Sequence, residues 1–397
     1  MTPLSGLRVA DFTVHAAGPF CTHMLSQLGA EVIKVETALR PDIFRKSHAV
    51  YGRKGPATFD QVSSNKLSVR LNLKHPDGIA LAKRLVAVSD VAAESFRAGV
   101  MERLGLSYDD LRAARPDIVM VSVSSSGQTG PESHFAGYAP LFGAWGGLGH
   151  LSGHADGPPV EMRHVMDHSV GMNAALATMA ALLQRRRTGR GCHVDVAARE
   201  VASSLVGDAL VAASAGITVE RMGNGDLRRA PHGLYPTRDP DRWLAIAVAN
   251  DAQWCALAML MDQADLASDP RYATETARHA NSATLDPLIA NWSRQSTGEQ
   301  LAASLQSAGI PAHLSWAASD IVSDPHLRAR GAILDVTETG GATRAAVGRV
   351  ARFSGDDTPG ITQGTPTLGG AESYVYGELL GLSDTDISAL VADRAIY

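Results

Sequence analysis

Apolar and polar positions along the chain alternate on two different periods. Residues 7–12 form a short apolar run broken only by Arg8 and Asp11, which predicts a strand. A turn over 14–19 follows, and Pro19 suits a first helical turn, where a missing N–H costs nothing. Residues 20–28 have helical spacing and stop at Gly29, a natural C-cap; residues 30–36 then read as a second buried strand. Strand, helix and strand in this order make a βαβ unit, which favours a parallel sheet covered by helices.

The same alternation continues. Residues 66–74 place Leu67, Val69, Leu71 and Leu73 on one face and Lys66, Ser68, Arg70 and Lys74 on the other, the pattern of a half-exposed strand. Asp77 is positioned to cap a helix over 78–90, residues 91–96 and 118–127 read as strands, and 106–116 as a helix between them. Residues 127–159 are rich in Gly, Ser and Pro, with one helical stretch near 138–147; a connection this long inside a domain is ordinarily functional. A long apolar helix is expected to open at Asp167 and close at the basic run 185–187, followed by a strand at 192–197 and a helix at 199–216. Near 217 the composition turns polar, and 223–241 reads as a linker. A strand near 242, helices to about 308 and a strand at 310–316 follow. The fold class is therefore α/β, with a Rossmann-like large domain and a smaller α+β domain.

Composition narrows the function classes. With 36 basic and 41 acidic residues the net charge is -5, so no broad basic face for nucleic acid is implied. Cys21, Cys192 and Cys255 are too far apart for a disulfide framework or a CxxC metal site, which fits a reducing, cytoplasmic setting. No signal-peptide pattern opens the chain, and the uncharged stretch 169–183 is shorter than the ~20 residues a membrane span needs. Glycine, at 38 of 397 residues, exceeds the usual ~7 %, which points to tight turns and close backbone approach.

Candidate chemistry gathers at a few places. The turn 14–19 leads from a strand into a helix, where backbone N–H groups bind phosphates, but its HAAGP is not the GxGxxG of a dinucleotide site. Glu36 ends the second strand about where such folds carry a ribose-binding acid. Asp167 reads locally as a helix N-cap; the functional alternative is a nucleophile that accepts an acyl group from a thioester. Lys34, Lys66, Lys74, Arg97, Arg103 and Arg163 lie near strand ends, where most charges are solvated rim. His134, His150, His154, His164 and His168 lack the carboxylate or thiol partners of a zinc site, so no metal is expected. No GxSxG elbow occurs.

Several stretches together resemble the class III CoA-transferases, the group of formyl-CoA transferase and carnitine CoA-transferase. They are LSGLRVADFTVHAAGPFCTHMLSQLGAEVIKVE, NKLSVRLNLKHPDG, ESFRAGVMERLGLSYDDL, SVSSSGQTGP, Asp167, TGRGCHVDVAARE, SDPRYAT, IPAHLSW and SDPHLRARG, in family order across nearly the whole chain. The resemblance implies a large domain from residues 1–216 and 325–397, a linker and small domain over 217–324, and an interlocked homodimer. It implies coenzyme A as co-substrate, an acyl-CoA donor and a carboxylic acid acceptor. Asp167 would be the nucleophile, passing through an aspartyl anhydride and an aspartyl-CoA thioester. Positions matching the family's CoA contacts are Val14, Ala17, Leu71, Lys74, Ser95, Phe96 and Arg103, with Arg40 standing in for a basic residue nearer Glu36. His15, Tyr138 and Arg163 are the candidates to recognise the acceptor carboxylate, which would suit a dicarboxylate such as succinate. Departures from formyl-CoA transferase include Ala16 for a glutamine, Ser95 for an asparagine, and GGAE at 369–372 for GEHT. The same fold is used by α-methylacyl-CoA racemases, whose histidine position falls on Tyr138, a poor base with a pKa near 10; His134 or His168 could take that place, which keeps racemase as the alternative activity. An inactive CoA-binding protein is the non-enzymatic alternative.

Overall fold

A computed structural model of the chain describes residues 2–45, 57–356 and 358–397, with Ala57, Arg163 and His164 described by backbone alone. These group into two compact units. One comprises Met1–Gly149, Glu161–Ile217 and Pro325–Tyr397; the other comprises His150–Val160 and Thr218–Asp324.

The first unit is built on six parallel strands: β1 (Arg8–Asp11), β2 (Glu31–Glu36), β3 (Lys66–Arg70), β4 (Val91–Glu94), β5 (Val119–Ser124) and β6 (His193–Ala197). Their order is β3-β2-β1-β4-β5-β6, so the winding direction reverses between β1 and β4. The described helices up to Ile217 are α1 (Ala17–Gln27), α2 (Ala57–Ser63), α3 (Pro76–Ala87), α4 (Val100–Arg103), α5 (Tyr108–Ala114), α6 (Ala139–Gly146), α7 (Leu148–Leu151), α8 (Arg163–Thr188), α9 (Ala198–Ser204) and α10 (Gly207–Ser214). Strand residues bury both faces by simple alternation. Val9, Val32, Val91 and Val119 pack into one core with α8, while Ala10, Ile33, Ala92 and Met120 pack into the other with α3.

Four local expectations change. The helix expected to open at Asp167 starts at Arg163, so Asp167 lies in its second turn and is no N-cap. The helix expected over 199–216 is interrupted at Leu205 and Val206. The N-cap of α3 is His75, whose ring accepts from the N–H of Asp77. The strand expected to run to residue 74 stops at Arg70, and Lys66 and Ser68 on its polar face are buried.

The second unit carries an antiparallel sheet of β7 (His232–Pro236), β8 (Trp243–Ala247) and β9 (Ala312–Leu314). β7 falls inside the stretch expected to be linker. Its Tyr235 is buried with Leu244, Ile246 and Trp254, and as an edge strand it tolerates Pro236. Residues 150–160, expected with the first unit, belong to the second: the Arg221 guanidinium donates to the carbonyls of His150 (3.0 Å), His154 (3.4 Å) and Gly157 (3.2 Å). In the first unit, β10 (Ile333–Thr337) and β11 (Thr343–Val347) form a separate antiparallel pair.

Candidate active site

In an open parallel sheet, ligands bind beyond the carboxyl ends of the strands where the strand order reverses. Here that place lies between β1 and β4, and the residues just past those two strands are stitched together. The Ser95 hydroxyl accepts from the Val14 N–H (2.9 Å) and donates to the Val14 carbonyl (3.0 Å). Gly18 allows the close approach: a Cβ there would stand 2.8 Å from the Cβ atoms of both Ser95 and Thr13. Ala17 opens α1, whose N-cap Ala16 makes no side-chain cap bond, and Pro19 in the first turn has no N–H to satisfy.

The turn is held from below by buried charge. Asp11 accepts from the Thr13 N–H (2.9 Å) and the Thr22 hydroxyl (2.8 Å). Lys66 donates to Asp11 (3.0 Å), the Thr22 hydroxyl (2.7 Å) and the Pro19 carbonyl (2.9 Å). Lys34 donates to the Thr13 carbonyl (2.7 Å). Burial works to raise the Asp11 pKa, but Lys66, Lys34 and the hydroxyls of Thr13 and Thr22 outweigh it and hold the carboxyl below its ordinary value. Burial pushes Lys66 down to about 8 against the pull of Asp11. Lys34 and Lys66, expected at the solvated rim, are thus the internal supports of the turn. Sequence reasoning missed them, although a charge inside an otherwise apolar strand is a legible signal of pairing.

Glu36, considered as a ribose-binding acid, is committed elsewhere. It is buried, accepting from Arg45 through both oxygens (2.9 and 2.7 Å) and from the Ser68 hydroxyl (2.6 Å). Leu71 is buried in the same core that Phe96 packs against, so its side chain has no open face. Lys74, Arg103 and Arg40 are exposed, Arg103 at the end of α4 and the other two in the loops after β3 and β2. His15 is exposed in the turn itself and adopts a left-handed conformation (φ 68°), its N–H donating to Asp42 (3.1 Å).

Asp167 is half-buried on α8. One helical turn further on, Gly171 brings α8 onto the start of α1: a Cβ there would stand 2.7 Å from the Ala17 carbonyl and 2.9 Å from the Phe20 ring. His168, adjacent to Asp167, sets its ring edge-on to Phe20 (4.4 Å) and contacts the Gln61 amide (3.0 Å). The carboxylate helix is thereby docked on the switch-point turn. Tyr138 is 68 % exposed at the start of α6. The Arg163 side chain lies outside the described residues. The structure thus brings Val14, His15, Ala17, Ser95 and Phe96 to one edge with the helix of Asp167 packed on it. It gives no such packing to Arg40, Lys74, Arg103 or Tyr138.

Comparison with known proteins gives a consistent family. The model of CoA-transferase family III matches residues 4–372. Succinyl-CoA--D-citramalate CoA-transferase of Chloroflexus aurantiacus is 37 % identical over 99 % of this chain and 98 % of its own. Succinyl-CoA:glutarate CoA-transferase of Mus musculus is 31 % identical over 100 % of this chain and 91 % of its own. Among solved structures, a CAIB/BAIF family protein from Brucella suis aligns with a TM-score of 0.87 at 31 % identity, covering 95 % of this chain and 99 % of that one.

Proposed function

Since the chain belongs to CoA-transferase family III, we propose that it moves CoA from succinyl-CoA to a short dicarboxylic acid through a covalent intermediate on Asp167. The observation that supports this reading is the docking of α8, the helix of the half-buried Asp167, on the start of α1 through Gly171, next in the chain to the turn that Val14 and Ser95 tie together. The substrates named for its relatives, citramalate and glutarate with succinyl-CoA, support the choice of acids.

The chemistry needs no external proton donor. A carboxylate oxygen of Asp167 attacks the thioester carbonyl, the C–S bond breaks, and a mixed anhydride and CoA thiolate result. The thiolate attacks the aspartyl carbonyl, freeing the donor acid as its carboxylate and leaving an aspartyl-CoA thioester. The acceptor carboxylate attacks that thioester, expelling the thiolate again. The thiolate then takes the acceptor's acyl group and restores Asp167. Splitting one difficult exchange into four acyl transfers is the use of covalent catalysis here. In this reading Val14, Ala17, Ser95 and Phe96 hold the thiol-bearing arm of CoA, Leu71 contributes backbone, and Lys74, Arg103 and Arg40 meet its phosphates. His15 and Tyr138 face the acceptor. The chain works as an interlocked homodimer.

Asp167→Ala tests the reading with succinyl-CoA and a panel of acids. Transfer is expected to fall by at least 10³-fold, in line with the loss of a covalent nucleophile, and hydroxylamine is expected to trap only Asp167 in the wild-type chain. Undiminished transfer by Asp167→Ala would refute it. Exchange of the α-proton of a 2-methylacyl-CoA with no acceptor present would replace it with the racemase reading.

A further inference from the structure

Glu94, at the end of β4, is a buried carboxylate that the transfer chemistry does not use. It is 2 % exposed and has no described cation beside it. A charge kept in such a place costs stability unless it serves something. Its two oxygens reach two different loops. One accepts from the N–H of Phe96 (2.7 Å), just past β4; the other is 3.5 Å from the Gln128 amide, in the loop past β5. Ser122, its register partner on β5, adds its hydroxyl and is itself 2.8 Å from Nε2 of His193 on β6. Asp195, the register partner of Ser122, accepts from the N–H of Gln128 (2.8 Å). Nearby, the hydroxyls of Ser124, at the end of β5, and of Ser126 are buried with no hydrogen-bond partner among the described residues.

We propose that Glu94 is a positioning residue for CoA: its carboxylate ties the Ser95–Phe96 edge to the Gln128 loop so that both are set for the same ligand. This rests on the reading of the switch-point edge as the CoA site. Burial pushes Glu94 up to about 7, against the bonds from Ser122 and the Phe96 N–H and with some help from Asp195. The other titratable groups on this side are His193, which burial lowers, and Tyr108 of α5, stacked on the His193 ring at 5.6 Å. Asp11 of β1 pairs in register with Ala93 and so belongs to the opposite face. The ionised carboxylate, which only accepts, is the form that grips both loops. That grip is present above pH about 7 and is lost as pH falls through it.

The test is Glu94→Gln, with KM for succinyl-CoA, kcat and CoA affinity by calorimetry measured between pH 6 and 8.5. At pH 8, KM and the CoA dissociation constant should rise about tenfold, the worth of one charged hydrogen bond, with kcat changing far less. The wild-type rise in KM below pH 7 should be flat in the variant. Removing a buried charge should leave the melting temperature at pH 8 no lower than that of the wild type. A KM within twofold and an unchanged pH profile would overturn the proposal. So would a parallel fall in kcat and melting temperature, which marks a merely structural residue. If Glu94→Gln does not fold, Gln128→Ala should raise KM alone, and an unchanged KM there overturns the proposal. A wild-type chain that binds no CoA would overturn the CoA reading and this inference together; one that binds CoA equally well with and without Glu94 overturns this inference alone.

Discussion

Asp11 and Lys66 meet inside the first unit with neither side chain reaching water. Breaking such a pair leaves one charge stranded, which costs roughly 3–5 kcal/mol, whereas neutralising both partners costs far less. Lys66→Met should therefore destabilise the chain by that amount in urea titrations, and Asp11→Asn combined with Lys66→Met by clearly less than the two single changes together. A single-variant loss under about 1 kcal/mol would contradict the arrangement. Because the Asp11 carboxyl is held low, its contribution is present above the ordinary carboxylate pKa and is lost as pH falls through its folded-state value. These residues also show what a sequence conceals. Alternation marks Lys66 and Ser68 as an outward face, yet both are buried, because a one-dimensional pattern does not say which faces the rest of the chain will cover. For Asp167 the order of motifs around it singles it out as the candidate nucleophile, while local helix logic assigns it a capping role that α8, starting four residues earlier, removes.

Among elements, the strands and the first helices of the sheet were readable because a parallel sheet buries both faces and leaves long Val and Ile runs between turns. Strand β7 was not, since Gly233 and Pro236 carry a loop's composition and its one inward anchor, Tyr235, gives no periodicity. The start of α8 was also missed, because no described capping side chain marks it. What fixes α8 is a close backbone approach, and that makes a prediction. Gly171→Ala forces a methyl to within 2.7 Å of the Ala17 carbonyl, so α8 must shift off α1. Overpacking of this kind costs about 1–3 kcal/mol, and kcat should fall several-fold further than stability alone explains, because Asp167 moves with the helix. Gly207→Ala is the matched control: a Cβ there meets nothing within 4 Å, and the change should be neutral or stabilise by up to ~1 kcal/mol. Thermal melts and kcat on both variants check this, and equal behaviour of the two would refute the docking role of Gly171.

For the whole molecule, α8 presents two faces of opposite use. Met166, Val170, Ala174 and Ala181 are buried in the core, while Val165 (46 % exposed), Met172 (47 %), Leu176 (64 %) and Leu183 (51 %) lie open. Their spacing of 7, 4 and 7 residues keeps all four on one side of the helix, within a narrow stripe. Isolated exposed apolar residues are ordinary, but an aligned stripe along a helix of 26 residues is the form an association surface takes. Leu210 and Val211 of α10 add a second exposed apolar pair on the same unit. The proposed homodimer supplies a partner for these surfaces. Met172→Glu with Leu176→Glu places two carboxylates on the stripe and touches no core residue. Because interlocked chains cannot separate once folded, wild type and variant are both refolded from denaturant: light scattering coupled to gel filtration should then give twice the chain mass for the wild type and fail to recover that mass for the variant. A variant that stays dimeric would show that the stripe is not the interface, and a wild-type chain that runs as a monomer at micromolar concentration would refute the dimer itself.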